Sequence, residues 1–78
     1  MQMNPAVCGV EPGENFVLKL AFENGETRFF DTKPHFQYEF FRPLSDPAYF
    51  VKVRPVSGTV EWPDGQDFCP DTLYLESR

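Results

Sequence analysis

Residues 16–31, FVLKLAFENGETRFFD, constrain the fold more than any other stretch, because residue pattern and turn chemistry both demand a β-hairpin there. Phe16, Leu18, Leu20 and Phe22 alternate with Val17, Lys19, Ala21 and Glu23, giving a strand one strongly apolar face and one mixed face. Asn24 and Gly25 then supply the positive φ angles of a tight hairpin. A two-residue loop would set Glu23 opposite Glu26 and Leu20 opposite Phe29. A three-residue loop with a left-handed bulge at Gly25 would set Phe22 opposite Glu26 and Leu18 opposite Phe30. The second register keeps like charges from facing each other and is preferred. In either register one of the two phenylalanines points away from the apolar face, so another element is expected to cover it.

The rest of the chain reads as short elements between turns. Residues 6–10 form an opening strand, with Ala6, Cys8 and Val10 on one face, and the turn at 11–15 joins it to the hairpin as an antiparallel meander. Pro34 and Pro43 discourage a continuous helix or central strand, so residues 32–44 are expected to be a loop that lays aromatic rings over the sheet. Asp46 before Pro47 marks a helix start, and a helix over 47–52 would bury Phe50. A second hairpin turns at Ser57 and Gly58, with Pro55 limiting its first strand. Another turn follows at 62–67, Phe68 is expected to add a last pairing, and a helical turn from Pro70 docks through Leu73 and Tyr74. The expected fold is one α+β domain over residues 1–78: a small antiparallel β-sheet of hairpins with one short helix and a C-terminal helical turn.

A chain of 78 residues has room for one modest core. Its 13 aromatic residues exceed what such a core must bury, which favours an exposed patch that binds protein. The net charge is −5 and the seven basic residues are scattered, so direct nucleic-acid binding is not expected. No apolar run has the length of a membrane span and the start carries no signal-peptide pattern, so a cytoplasmic location is expected. Cys8 and Cys69 fall in no metal-binding spacing and read as two thiols. His35 is the single histidine, which excludes a two-histidine metal site.

Three features invite a chemical reading. Asp64, Asp67 and Asp71 surround a glycine turn, and a hard cation takes several oxygen ligands. Their spacing differs from that of a calcium-binding helix–loop–helix, and each is accounted for by a turn or a helix start. Cys69 precedes a helix start, the one argument for a reactive thiol, but no basic residue adjoins it and packing is the preferred role. Asp31 ends a strand beside two phenylalanines and is expected to cap the backbone of the next turn. No catalytic residue, metal site or cofactor is assigned. The candidate binding residues are Phe29, Phe30, Tyr38, Phe40, Trp62, Asp64 and Asp67.

The runs LAFENGETRFFD, DPAYFVKV and GTVEWPDGQDFCPDTLY carry a resemblance across residues 18–74. With Trp62, Pro63, Asp64, Gly65, Asp67, Pro70, Asp71, Leu73 and Tyr74 in the order of its most specific motif, the chain resembles a small bacterial family catalogued as domain of unknown function 2442. Residues 34–44 depart from that family's pattern, with HFQYEFF where an aliphatic turn ending in glycine is common. The resemblance implies a small α+β fold with an antiparallel sheet and no established activity. Some relatives add a helix-turn-helix domain, and many are encoded beside another small protein, an arrangement similar to toxin–antitoxin pairs. The expected function is therefore a non-enzymatic protein-interaction module, antitoxin-like in its specific form, acting through a protein partner or self-association. The alternative is a small-ligand or metal-binding domain using residues 62–71.

Overall fold

The structure is a computed structural model that describes residues 4–78. Strands β1 (Val7–Pro12), β2 (Val17–Phe22) and β3 (Thr27–Asp31) form an antiparallel meander in the order β1-β2-β3. The β2–β3 turn takes the bulged register. Phe22 N donates to Glu26 O at 2.9 Å, Gly25 N donates to Phe22 O at 3.0 Å, and Leu18 pairs with Phe30. Gly25 alone in this turn adopts a left-handed φ, +90°, while the Asn24 side chain accepts from Glu26 N at 3.0 Å. This register puts Leu18, Leu20, Phe22 and Phe30 on one buried face.

The opening strand differs from its expected facing. Its pairing jumps from Val7 opposite Phe22 to Gly9 opposite Ala21, so Cys8 is the extra residue of a β-bulge. The bulge turns Val7 into the core and leaves Cys8 exposed. Before β2 the chain passes through two left-handed residues, Asn15 at φ 56° and Phe16 at φ 62°. Such backbone costs about 1 kcal/mol or more per residue. The buried Thr32 holds it in place, donating to Phe16 O from its N–H at 3.1 Å and from its hydroxyl at 2.7 Å.

The proline-bounded connector forms two 3-10 segments, Lys33–Gln37 and Glu39–Ser45. It covers the buried face of the sheet as expected. Phe36 packs edge-on against Phe16, His35 stacks on Phe30, Phe41 stacks on Phe68 with centroids 4.6 Å apart, and Leu44 is fully buried. Helix α1 (Pro47–Phe50) begins where Asp46 accepts from Ala48 N at 3.0 Å, and it ends two residues short of the expected span. Strands β4 (Arg54–Val56) and β5 (Thr59–Glu61) form a separate hairpin around the left-handed Ser57 and Gly58. Gly58 O accepts from Val7 N at 2.9 Å, which docks the hairpin on the start of β1.

The last pairing falls on Asp67, opposite Glu61, and not on Phe68. Phe68 turns into the core instead, beside Trp62 and Phe30. Helix α2 (Pro70–Leu75) buries Leu73 and sets the Tyr74 ring edge-on to Phe22 at 5.2 Å. Trp62 lies at the centre with no exposed surface, its indole N–H donating to Phe50 O at 2.9 Å. Burial of each large apolar side chain contributes about 1.5–3 kcal/mol. No helix among the described residues is long and apolar enough to cross a membrane.

Candidate interaction surface

Because strand side chains alternate, the register that buries Leu18, Leu20 and Phe30 turns Val17, Lys19, Ala21, Thr27, Phe29 and Asp31 to the opposite face. The connector and both helices pack against the inner side. The outer face therefore keeps Phe29 52% exposed, and among the described residues no element covers this outward phenylalanine, contrary to expectation.

Phe29 stands next to two open hollows. One, about 390 Å³, is lined by Gly9, Val10, Glu11, Lys19, Ala21 and Thr27. Its floor is shallow because Gly9 and Ala21 sit opposite each other in the ladder and carry little side chain. The other, also about 390 Å³, is lined by Phe29 itself with Val17, Asp31, Pro34, Glu76 and Arg78. Asp31 caps the turn as expected, accepting from Lys33 N at 2.9 Å and pairing with the Lys33 ammonium at 2.9 Å. Partial burial pushes the Asp31 carboxyl up, but the Lys33 side chain and backbone N–H outweigh it and hold the group below its ordinary range.

The remaining candidates divide between surface and core. Tyr38 and Phe40, each 55% exposed, project from the connector. Among the described residues no ring contact joins either of them to Phe29, so they are a second, separate patch. Phe30 and Trp62 are buried at 1% and 0% exposure and present nothing to a partner. Both are corrected from binding residues to core residues, Phe30 by the bulged register and Trp62 by its packing under Phe50 and Phe68.

Asp64 and Asp67 are exposed on the last turn, and that turn is closed by internal bonds. Asp64 N donates to the Tyr49 hydroxyl at 2.9 Å, and that hydroxyl donates to Gln66 Oε1 at 2.7 Å. Asp71 accepts from the Asn4 amide at 2.9 Å. Among the described residues no three His, Cys, Asp or Glu side chains converge on a point where an ion could sit. Cys8 and Cys69 are free, exposed thiols.

Lys19, Ala21, Val17 and Gly9 belong to the outer face and were not among the sequence candidates. For Val17, Lys19 and Ala21 the signal is the mixed half of the β2 alternation; Gly9 joins them by pairing with Ala21 across β1 and β2. Arg78 joins the same surface with no local signal at all, through backbone bonds to Phe29 in both directions at 2.8 and 2.9 Å.

A family model described as "Protein of unknown function (DUF2442)" matches residues 7–78. No curated protein and no solved structure matches the chain.

Proposed function

We propose that this chain, which belongs to the DUF2442 family of proteins of unknown function, is a non-enzymatic protein-interaction module of the cytoplasm. Its specific form is an antitoxin-like partner of a small protein. The observation that carries this reading is the uncovered outer sheet face with Phe29 half exposed between two hollows. Aromatic residues, phenylalanine among them, are enriched in the cores of protein interfaces. The net charge of −5 favours a basic partner and disfavours direct contact with nucleic acid.

Ligand or metal binding by residues 62–71 is the weaker reading. Trp62 is buried, the Asp64 N–H and the Gln66 side chain bond to the Tyr49 hydroxyl, and the Asp71 carboxylate accepts from Asn4. Affinity purification of the tagged chain from its source cells tests the leading proposal. The expected result is a small protein retained at a one-to-one ratio by the unaltered chain and lost on Phe29→Asp. Recovery of the chain with no such protein counts against it.

A further inference from the structure

The turn between β2 and β3 carries a dipeptide prone to a covalent change. Of the three asparagines, Asn4 precedes Pro5, which has no backbone N–H, and Asn15 precedes Phe16, whose ring packs edge-on against both Phe36 and Phe50. Asn24 alone precedes a glycine, and both Asn24 and Gly25 are exposed. An added Cβ at Gly25 would meet nothing within 4 Å, so the turn has room to rearrange. In the closed turn the groups that would react are all engaged. Gly25 N donates to Phe22 O at 3.0 Å, and Glu26 grips the Asn24 amide at both ends, its N–H donating to Asn24 Oδ1 at 3.0 Å and its Oε1 accepting from Asn24 Nδ2. That same Oε1 accepts from the Tyr74 hydroxyl at 2.7 Å, a bond that ties helix α2 to the turn, while Arg28 pairs with Oε2 at 2.7 Å.

We propose that Asn24 is a site of spontaneous deamidation guarded by Glu26, and that its conversion loosens helix α2 on the β2–β3 turn. When the turn opens, Gly25 N attacks Asn24 Cγ. A C–N bond forms, the Cγ–Nδ2 bond breaks, and ammonia leaves with the proton that Gly25 N gives up. Water then opens the cyclic imide at either carbonyl and leaves aspartate or isoaspartate, with no change of oxidation state. The product sets a carboxylate where the Asn24 amide had donated to Glu26 Oε1. Two acceptors and two negative charges then face each other at the atom that holds Tyr74. Asp64 before Gly65 holds the same position in the other glycine turn, but it has no ammonia to lose and gains no mass by this route.

Mass spectrometry of peptides from the full chain, incubated folded and in urea at mildly alkaline pH, tests this. Conversion at Asn24 is expected in the folded chain at a rate about tenfold below that in urea, where no bond holds the turn. Glu26→Ala, which removes the Oε1 grip, is expected to convert about fivefold faster than the folded parent, whereas Glu26→Gln keeps an acceptor and stays close to it. Asn24→Asp reproduces the aspartate product. In that variant amide exchange at Leu73 and Glu76, whose N–H groups bond back along α2, is expected to quicken about tenfold. Fluorescence of the buried Trp62 verifies that each variant is folded. A folded chain that stays unconverted while the urea-treated chain converts completely overturns the site. Glu26→Ala no faster than Glu26→Gln overturns the guard, and Asn24→Asp with unchanged exchange overturns the loosening of α2.

Discussion

Two turns in this molecule share one backbone design and are sealed in opposite ways. In the turn from Phe22 to Glu26 and in the turn from Trp62 to Gln66, the first residue donates its N–H to the fifth at 2.9 Å and accepts from the glycine before it. Gly25 and Gly65 hold φ of +90° and +94°. Each turn is then bonded by a tyrosine from elsewhere. Tyr74 donates to Glu26 Oε1 at 2.7 Å, and Tyr49 donates to Gln66 Oε1 at 2.7 Å. The difference lies in the acceptor. Glu26 sits at the rim, where Arg28 pairs with it at 2.7 Å and lies over the Tyr74 ring at 4.1 Å. Gln66 is 5% exposed and uses a neutral amide. The lesson is electrostatic: a carboxylate serves where a guanidinium and water can solvate it, and an amide serves where they cannot.

Exchanging the two acceptors is expected to have the largest effect. Gln66→Glu is expected to cost about 3 kcal/mol at neutral pH, because it buries a carboxylate whose partner among the described residues is the neutral Tyr49 hydroxyl. Glu26→Gln is expected to cost less, since its site is solvated at the rim. Urea unfolding of the two variants checks this, and equal losses would show that burial does not separate the sites. Gly25→Ala and Gly65→Ala probe the backbone design that the two turns share. An added Cβ meets nothing within 4 Å at either position, so each is expected to lose the same amount, about 1–2 kcal/mol, from backbone conformation alone. Clearly unequal losses would mean that the two turns are not one design.

The smallest effect is in pH dependence. Hydrogen bonds from Tyr74, Asn24 and Arg28 hold the Glu26 pKa at about 2, down from 4.5. A lowered folded-state pKa contributes stability that is whole above the unfolded value and is lost as pH falls through the folded one. The Glu26 contribution should therefore disappear between about pH 4.5 and pH 2. The same bond raises the Tyr74 pKa above 10, so that contribution is present below pH 10 and is lost as the phenol ionises at higher pH. Glu26→Gln should flatten the acid limb of a stability profile, whereas Gln66 gives its turn no titrating side chain. An unchanged acid limb in Glu26→Gln would contradict this assignment.

The elements that were legible in the sequence are those fixed by local chemistry. Like-charge avoidance at Glu23 and Glu26 selects the bulged register, Asp46 before Pro47 starts α1, and Ser57 with Gly58 turns the second hairpin. What was not legible depends on distant contacts. Alternation shows that Phe29 and Phe30 face opposite ways, but not that the connector chooses the Phe30 side and leaves Phe29 open. The bulge at Cys8 needs β2 to define it, and a single residue such as Arg78 completing an edge leaves no pattern to read. Trp62 beside a polar turn looks like a surface ring until Phe50 O is seen to take its N–H. The outer surface leaves the least trace in the sequence, because it is defined by what does not pack on it.

The proposed partner surface is the outer face around Phe29. Calorimetric titration of the captured partner into the unaltered chain, Phe29→Asp and Tyr38→Asp, all at one salt concentration, tests that assignment. Binding about thirtyfold weaker in Phe29→Asp, with Tyr38→Asp close to the unaltered chain, is the predicted result. Full affinity in Phe29→Asp, with the loss falling on Tyr38→Asp, would contradict it and move the interface to the connector.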